Sequence, residues 1–121
     1  MTDMQPGVEM DELIDEVVFG RTDKGFNGKY RYRYRYDGKN GKWIPEPYST
    51  TWIGMQYVVE EMRRRGWNLV LLMKSETFGA GFSKGDIKTS EDSDSAPHAV
   101  CIAAIKALRE HANSSGEDGR A

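Results

Sequence analysis

The sequence predicts a single α+β domain: an antiparallel sheet of about four strands layered with helices in the order αββαββα, an α/β/α sandwich. Three observations predict it. Segments with apolar residues at helical spacing alternate with pairs of short β-rich segments joined by turn residues. The chain has 121 residues, 38% of them apolar, enough for one core and too few for two. Its last helical segment is apolar on every side, so it needs cover from more than one direction.

The elements follow in order. Met1 to Val8 reads as a flexible arm, residues 9–112 as the domain, and 113–121 as a disordered polar tail. Met10 to Phe19 has Leu13, Val17 and Val18 on one stripe with Met10 and Ile14 beside it. Acids fill its first turn, where the helix dipole favours them, and Gly20 can end it. A strand then runs to Tyr36. Asp37-Gly38 and Asn40-Gly41 are turn signals, and Lys42-Trp43-Ile44 returns before Pro45 and Pro47 stop the pairing. Ser49 or Thr50 is the expected cap of a second helix, with Ile53, Tyr57 and Met62 on its apolar face and Gly66 at its end. Glu60 and Glu61 stand four residues before Arg64 and Arg65, the spacing of helix ion pairs.

Trp67 to Met73 is an unbroken apolar run, which predicts a central strand covered on both faces. Thr77 to Ser83 pairs with it through Lys74-Ser75-Glu76. Gly79 and Gly81 thin that strand and open its backbone to close approach. Gly85 to Ser93 reads as a polar, acidic loop. Ser95 then caps the last helix, with Pro97 acceptable in its first turn. Ala99 to Ile105 is apolar all round, which predicts burial between the sheet and a partner subunit, hence a homo-oligomer of at least two chains.

The longest apolar run is too short to cross a membrane, and the first twenty residues are acidic rather than signal-like. Cys101 is the one cysteine, which suits a reducing cytoplasm. The net charge of −2 hides segregation: residues 21–42 carry eight bases against Asp23 and Asp37. Within them Lys29, Arg31, Arg33 and Arg35 alternate with Tyr30, Tyr32, Tyr34 and Tyr36. In a strand that alternation puts the cations on one face, about 7 Å apart, and the tyrosines on the other. Arginine forks match phosphate and aromatics stack on bases. The structural alternative is a solvated or self-neutralised face, with Glu9 to Glu16 of the first helix as partners.

Catalytic signatures are sparse. Gly79-Ala80-Gly81-Phe82 lacks the Gly-Lys-Ser/Thr of a P-loop, and Gly25 and Gly28 form no dinucleotide fingerprint. Cys101 sits mid-helix among apolar residues, as inert thiols do. His98 and His111 are about 20 Å apart along one helix and cannot share a metal within one chain. Glu91 to Asp94 lacks the glycine and bidentate glutamate of a calcium loop. The reading is of no catalytic residue, no metal and no cofactor.

Trp43-Ile44-Pro45-Glu46-Pro47-Tyr48-Ser49-Thr50, then Trp52 and Tyr57 to Arg63, resembles the phage "ABA sandwich" domain family. Asp94 to Ile105 is similar to that family's closing helix and Val18-Phe19-Gly20 to its opening one, so the resemblance covers most of residues 10–110. Thr51 stands where the family usually has aspartate. The resemblance implies a small phage or prophage accessory protein with helix/sheet/helix layers and no established activity. By analogy of size, origin and cationic-aromatic surface, it also points to phage nucleotide sponges such as the Thoeris anti-defence and anti-CBASS proteins.

The expected function is a non-catalytic, phage-encoded protein sequestering a small nucleotide or cyclic-nucleotide signal in the host cytoplasm. Lys29, Arg31, Arg33 and Arg35 would hold phosphates, Tyr48, Trp52 or Phe82 would stack on a base, and the amides of Gly79 and Gly81 would add donors. One alternative is a nucleic-acid-binding module tracking a backbone with the same strand. Another is a structural protein docking a partner by a sheet edge or the last helix.

Overall fold

The structure, a computed structural model, describes residues 5–20, 34–37 and 42–120. Helix α1 (Val8–Val17) leads to a two-stranded hairpin, β1 (Tyr34–Asp37) and β2 (Lys42–Pro45). Helix α2 (Trp52–Arg64) follows, then β3 (Asn68–Met73), β4 (Phe78–Lys84), β5 (Ile87–Lys88), β6 (Glu91–Ser93) and the closing helix α3 (Ala96–Arg120). The α+β class, the helix–sheet layering and the antiparallel four-stranded sheet are as expected. Which strands compose that sheet is not. Among the described residues β1 and β2 pair only with each other, while β3, β4, β5 and β6 make the four-stranded sheet.

β4 is the central strand, and β3 is an edge. The expectation of a central strand at Trp67 to Met73 is therefore corrected. Leu69 and Leu71 pack on the core, whereas Val70 and Leu72 are 58% and 54% exposed. An apolar run looks the same in sequence whether one face is covered or two, because exposed valine and leucine cost a strand little. The segment Gly85 to Ser93 is likewise a correction. Gly85, at φ +60°, and Asp86 form a two-residue turn, and β5 and β6 run back along β4. Their polar side chains hid the pairing, which uses backbone groups.

The helix ends obey local chemistry. α1 starts ahead of Met10 because Gly7 is already held: its N–H donates to Ser49 Oγ at 3.0 Å and its carbonyl accepts from Asp11 N–H at 2.9 Å. Gly20, at φ +76°, closes the first helical segment through its N–H to Glu16 O. The cap of α2 is Thr51 rather than Ser49 or Thr50: its Oγ1 accepts the Gly54 N–H at 2.9 Å. Threonine is a favoured N-cap residue because its hydroxyl can accept such a bond. Past Arg65, Gly66 donates to Arg63 O and Trp67 to Met62 O, the paired bonds of a Schellman ending. Ser95 caps α3 through His98 N–H. The helix then continues to Arg120, where the sequence suggested a disordered tail. Extending a helix already nucleated by packing costs little per residue.

The core lies between the helices and one sheet face. Ala80 and Phe82 of β4 meet α3, whose Ala99, Val100, Cys101, Ala103, Ala104 and Ile105 are all fully buried. Small side chains let α3 approach β4 closely, and α1 and α2 flank it. The chain's own elements therefore cover the all-apolar stretch, and the argument that it needs a partner subunit does not hold.

Candidate functional site

Side chains alternate across the sheet, so the register fixes what each face carries. On the face away from α3, Leu72, Gly79 and Asp92 stand in one cross-strand row; Val70, Gly81 and the level of Ser90 make the next; Asn68, Ser83 and Lys88 a third. The central strand thus contributes two bare glycines between an apolar wall from β3 and a polar wall from β5 and β6. The outcome is a groove of about 410 Å³ with a backbone floor, a volume within the range of small-molecule sites. Lys74 closes one end, its Nζ paired with Asp92 at 3.0 Å and arching over Gly79. Lys88 is exposed at the other.

The floor is kept bare for two different reasons. A Cβ on Gly81 would stand 2.4 Å from the carbonyl oxygen of Thr89, a backbone atom that moves only if its own strand shifts. A Cβ on Gly79 would meet only side-chain ends, Asp92 Oδ1 at 2.9 Å and Lys74 Cε at 3.3 Å. Gly81 is required by the strand beside it, whereas Gly79 leaves room.

The residues expected to form a site divide sharply. Gly79 and Gly81 line the groove together, with their amides in the ladder to β3 rather than offered as donors. Phe82 turns to the opposite face and is buried, so it cannot stack on a ligand. Tyr48 is also fully buried: its ring stacks on Phe19 at 5.3 Å and its hydroxyl donates to Asp15 Oδ1 at 3.0 Å. Both aromatics are core residues, a correction that residue type alone could not signal. Trp52 is 55% exposed beside Phe78, their rings edge to face at 6.1 Å. Arg35 lies in β1 opposite Ile44. Lys29, Arg31 and Arg33 fall outside the described residues.

Two polar clusters escaped the sequence reading. Asp11 and Asp15, one turn apart on α1, are buried rather than solvated. Ser49 donates to Asp11 Oδ1 through its hydroxyl at 2.7 Å and its N–H at 2.9 Å. The i,i+4 spacing beside Met10 and Ile14 was the available signal. Ser93 Oγ lies 2.7 Å from His98 Nδ1 and also accepts the Ser95 N–H, so this hydroxyl organises the entry to α3. Burial, aided by the nearby Asp11 carboxylate, pushes the Cys101 thiol well up, which leaves it unreactive. Among the described residues, no group of three or more His, Cys, Asp or Glu converges as a metal site. No described helix is long and apolar enough to cross a membrane.

No family model matches this chain, and no curated protein matches it. Among solved structures it is similar to a phage protein from Bacillus cereus ATCC 14579. The TM-score is 0.61 with 17% sequence identity, over 87% of this chain and 93% of that one. The two share a fold.

Proposed function

We propose that the protein is a phage-encoded, non-catalytic binding protein that sequesters a small phosphate-containing nucleotide. The observation that carries this reading is the groove: a flat floor without side chains, an apolar wall and a lysine at either end. A planar base can lie on the Gly79–Gly81 backbone against Val70 and Leu72, with phosphate toward Lys88. Lys88 has no carboxylate partner among the described residues. The fold shared with a phage protein supports the phage setting, and a counter-defence sponge is the role such binding would serve. In the sequence, the alternation of Arg31, Arg33 and Arg35 with tyrosines is a second feature suited to phosphate.

Native mass spectrometry and calorimetry with nucleoside mono-, di- and cyclic phosphates test this. Micromolar binding that survives moderate salt, is lost in Gly79→Val, and returns the ligand intact after heat denaturation is expected. Few phosphates contribute, so the salt dependence is shallow. Steep salt dependence with single-stranded DNA would favour the nucleic-acid alternative instead. A hydrolysed product would make the protein an enzyme.

A further inference from the structure

β5 and β6 keep one register against β4, Ser83 opposite Lys88 and Ala80 opposite Glu91, yet the strand breaks at Thr89 and Ser90 between them. The break is chemical. Thr89 N–H donates to Phe82 O at 2.9 Å, as an antiparallel pair requires. The return bond is altered: Phe82 N–H goes to the Thr89 hydroxyl at 3.3 Å instead of the Thr89 carbonyl. The same hydroxyl faces α3, 3.4 Å from Ala103 O. Released from the ladder, the Thr89 carbonyl sits above Gly81, 2.4 Å from where a Cβ would be, on the groove side of the sheet. Among the described residues no donor takes it up.

We infer that Thr89 is the specificity residue of the groove: its carbonyl is a fixed acceptor in the floor that selects planar heterocycles carrying an N–H or amino donor. This rests on the nucleotide reading above and narrows it to amino-bearing bases. On the groove's polar wall Asp92 is already paired with Lys74, and the hydroxyls of Ser83 and Ser90 can turn either to donate or to accept. Its aliphatic wall and lysine ends do not distinguish one heterocycle from another. An oriented carbonyl does, because a ring edge that brings a lone pair to it repels it and one that brings N–H satisfies it. Gly81 follows from the same device, since any side chain there would push the carbonyl back.

Binding of adenosine and guanosine 5′-monophosphates is to be compared with purine riboside 5′-monophosphate, which has the same ring and phosphate without the amino group. The amino-bearing ligands should bind about tenfold tighter. Thr89→Ser keeps the hydroxyl and should keep that ratio. Thr89→Val removes it, so the Phe82 N–H recaptures the carbonyl, and the ratio should fall to about one with phosphate-dependent binding retained. Equal affinity for all three ligands in the unaltered protein would overturn this inference and leave the nucleotide reading standing. So would an unchanged ratio in Thr89→Val. Failure of every nucleotide to bind would overturn both. If Thr89→Val does not fold, the ligand comparison in the unaltered protein and in Thr89→Ser decides the matter.

Discussion

At Gly81 and Gly79 the same residue type answers to different constraints, and substitution should separate them. Gly81→Ala drives a Cβ into a backbone carbonyl and should cost about 1–3 kcal/mol, the usual range for overpacking. In Gly79→Val the new Cβ meets the movable ends of Lys74 and Asp92 and the strand gains β propensity, so its stability should stay within about 1 kcal/mol. Urea denaturation of both variants checks the contrast. Tyr48→Phe removes the buried hydrogen bond from its hydroxyl to the Asp15 carboxylate, a loss of about 1.5–3 kcal/mol by the same measurement. Cys101 should resist thiol reagents in the native protein and react on unfolding, which a colorimetric thiol assay reads directly. Of these residues the sequence made Cys101 legible, because its apolar neighbours recur at helical spacing. Tyr48 and Phe82 were not: an aromatic at a loop end or in a strand carries no mark of which way it faces until the register is known.

The second helix shows how an element is held at both ends. Gly54, in its first turn, lies so close to Pro47 that a Cβ would stand 2.2 Å from that residue's carbonyl oxygen. Alanine normally stabilises a helix over glycine by about 1 kcal/mol. Here Gly54→Ala should lower the melting temperature, because the backbone contact cannot relax. At the other end Glu61 pairs with Arg64 at 2.6 Å and Arg65 at 3.0 Å, while Glu60 pairs with Arg63 at 3.6 Å rather than with Arg64. Arg65 also donates to Val18 O, joining α2 to the end of the first helical segment. Burial pushes the Glu61 carboxyl up, but the hydrogen bonds and charges of Arg64 and Arg65 outweigh it and hold the carboxyl below its ordinary range. A carboxylate held low contributes stability above its unfolded pKa and loses it as pH falls through the folded one. Glu61→Gln should therefore lower stability near neutrality and flatten its decline below about pH 5, measured by denaturation across pH. Helix boundaries were largely readable, since caps and C-terminal glycines are local chemistry. The returning strand β5–β6 was not, since it is specified by backbone pairing with β4 and carries few apolar side chains to announce it.

For the molecule as a whole, α3 is the organising element, pressed between the sheet and the other helices. Leu71→Asp would place a carboxylate on the core face of the sheet and should prevent cooperative unfolding, seen as loss of a sigmoidal thermal transition, because an unpaired charge there costs several kcal/mol. The class of fold was legible from alternating periodicities alone. Its topology needed long-range information: which pair of strands joins which sheet depends on whether α3 or α1 lies behind it.

The place of β3 at the sheet margin bears on handling the protein. Asn68 to Met73 contains no charge, proline or bulge, the devices that usually deter strand addition, and Met73 is 77% exposed at its end. Among the described residues nothing pairs with its outer side. Such a margin is a template onto which another extended chain can dock, so concentrated stocks should self-associate, and light scattering should show Leu72→Lys staying monodisperse to higher concentration.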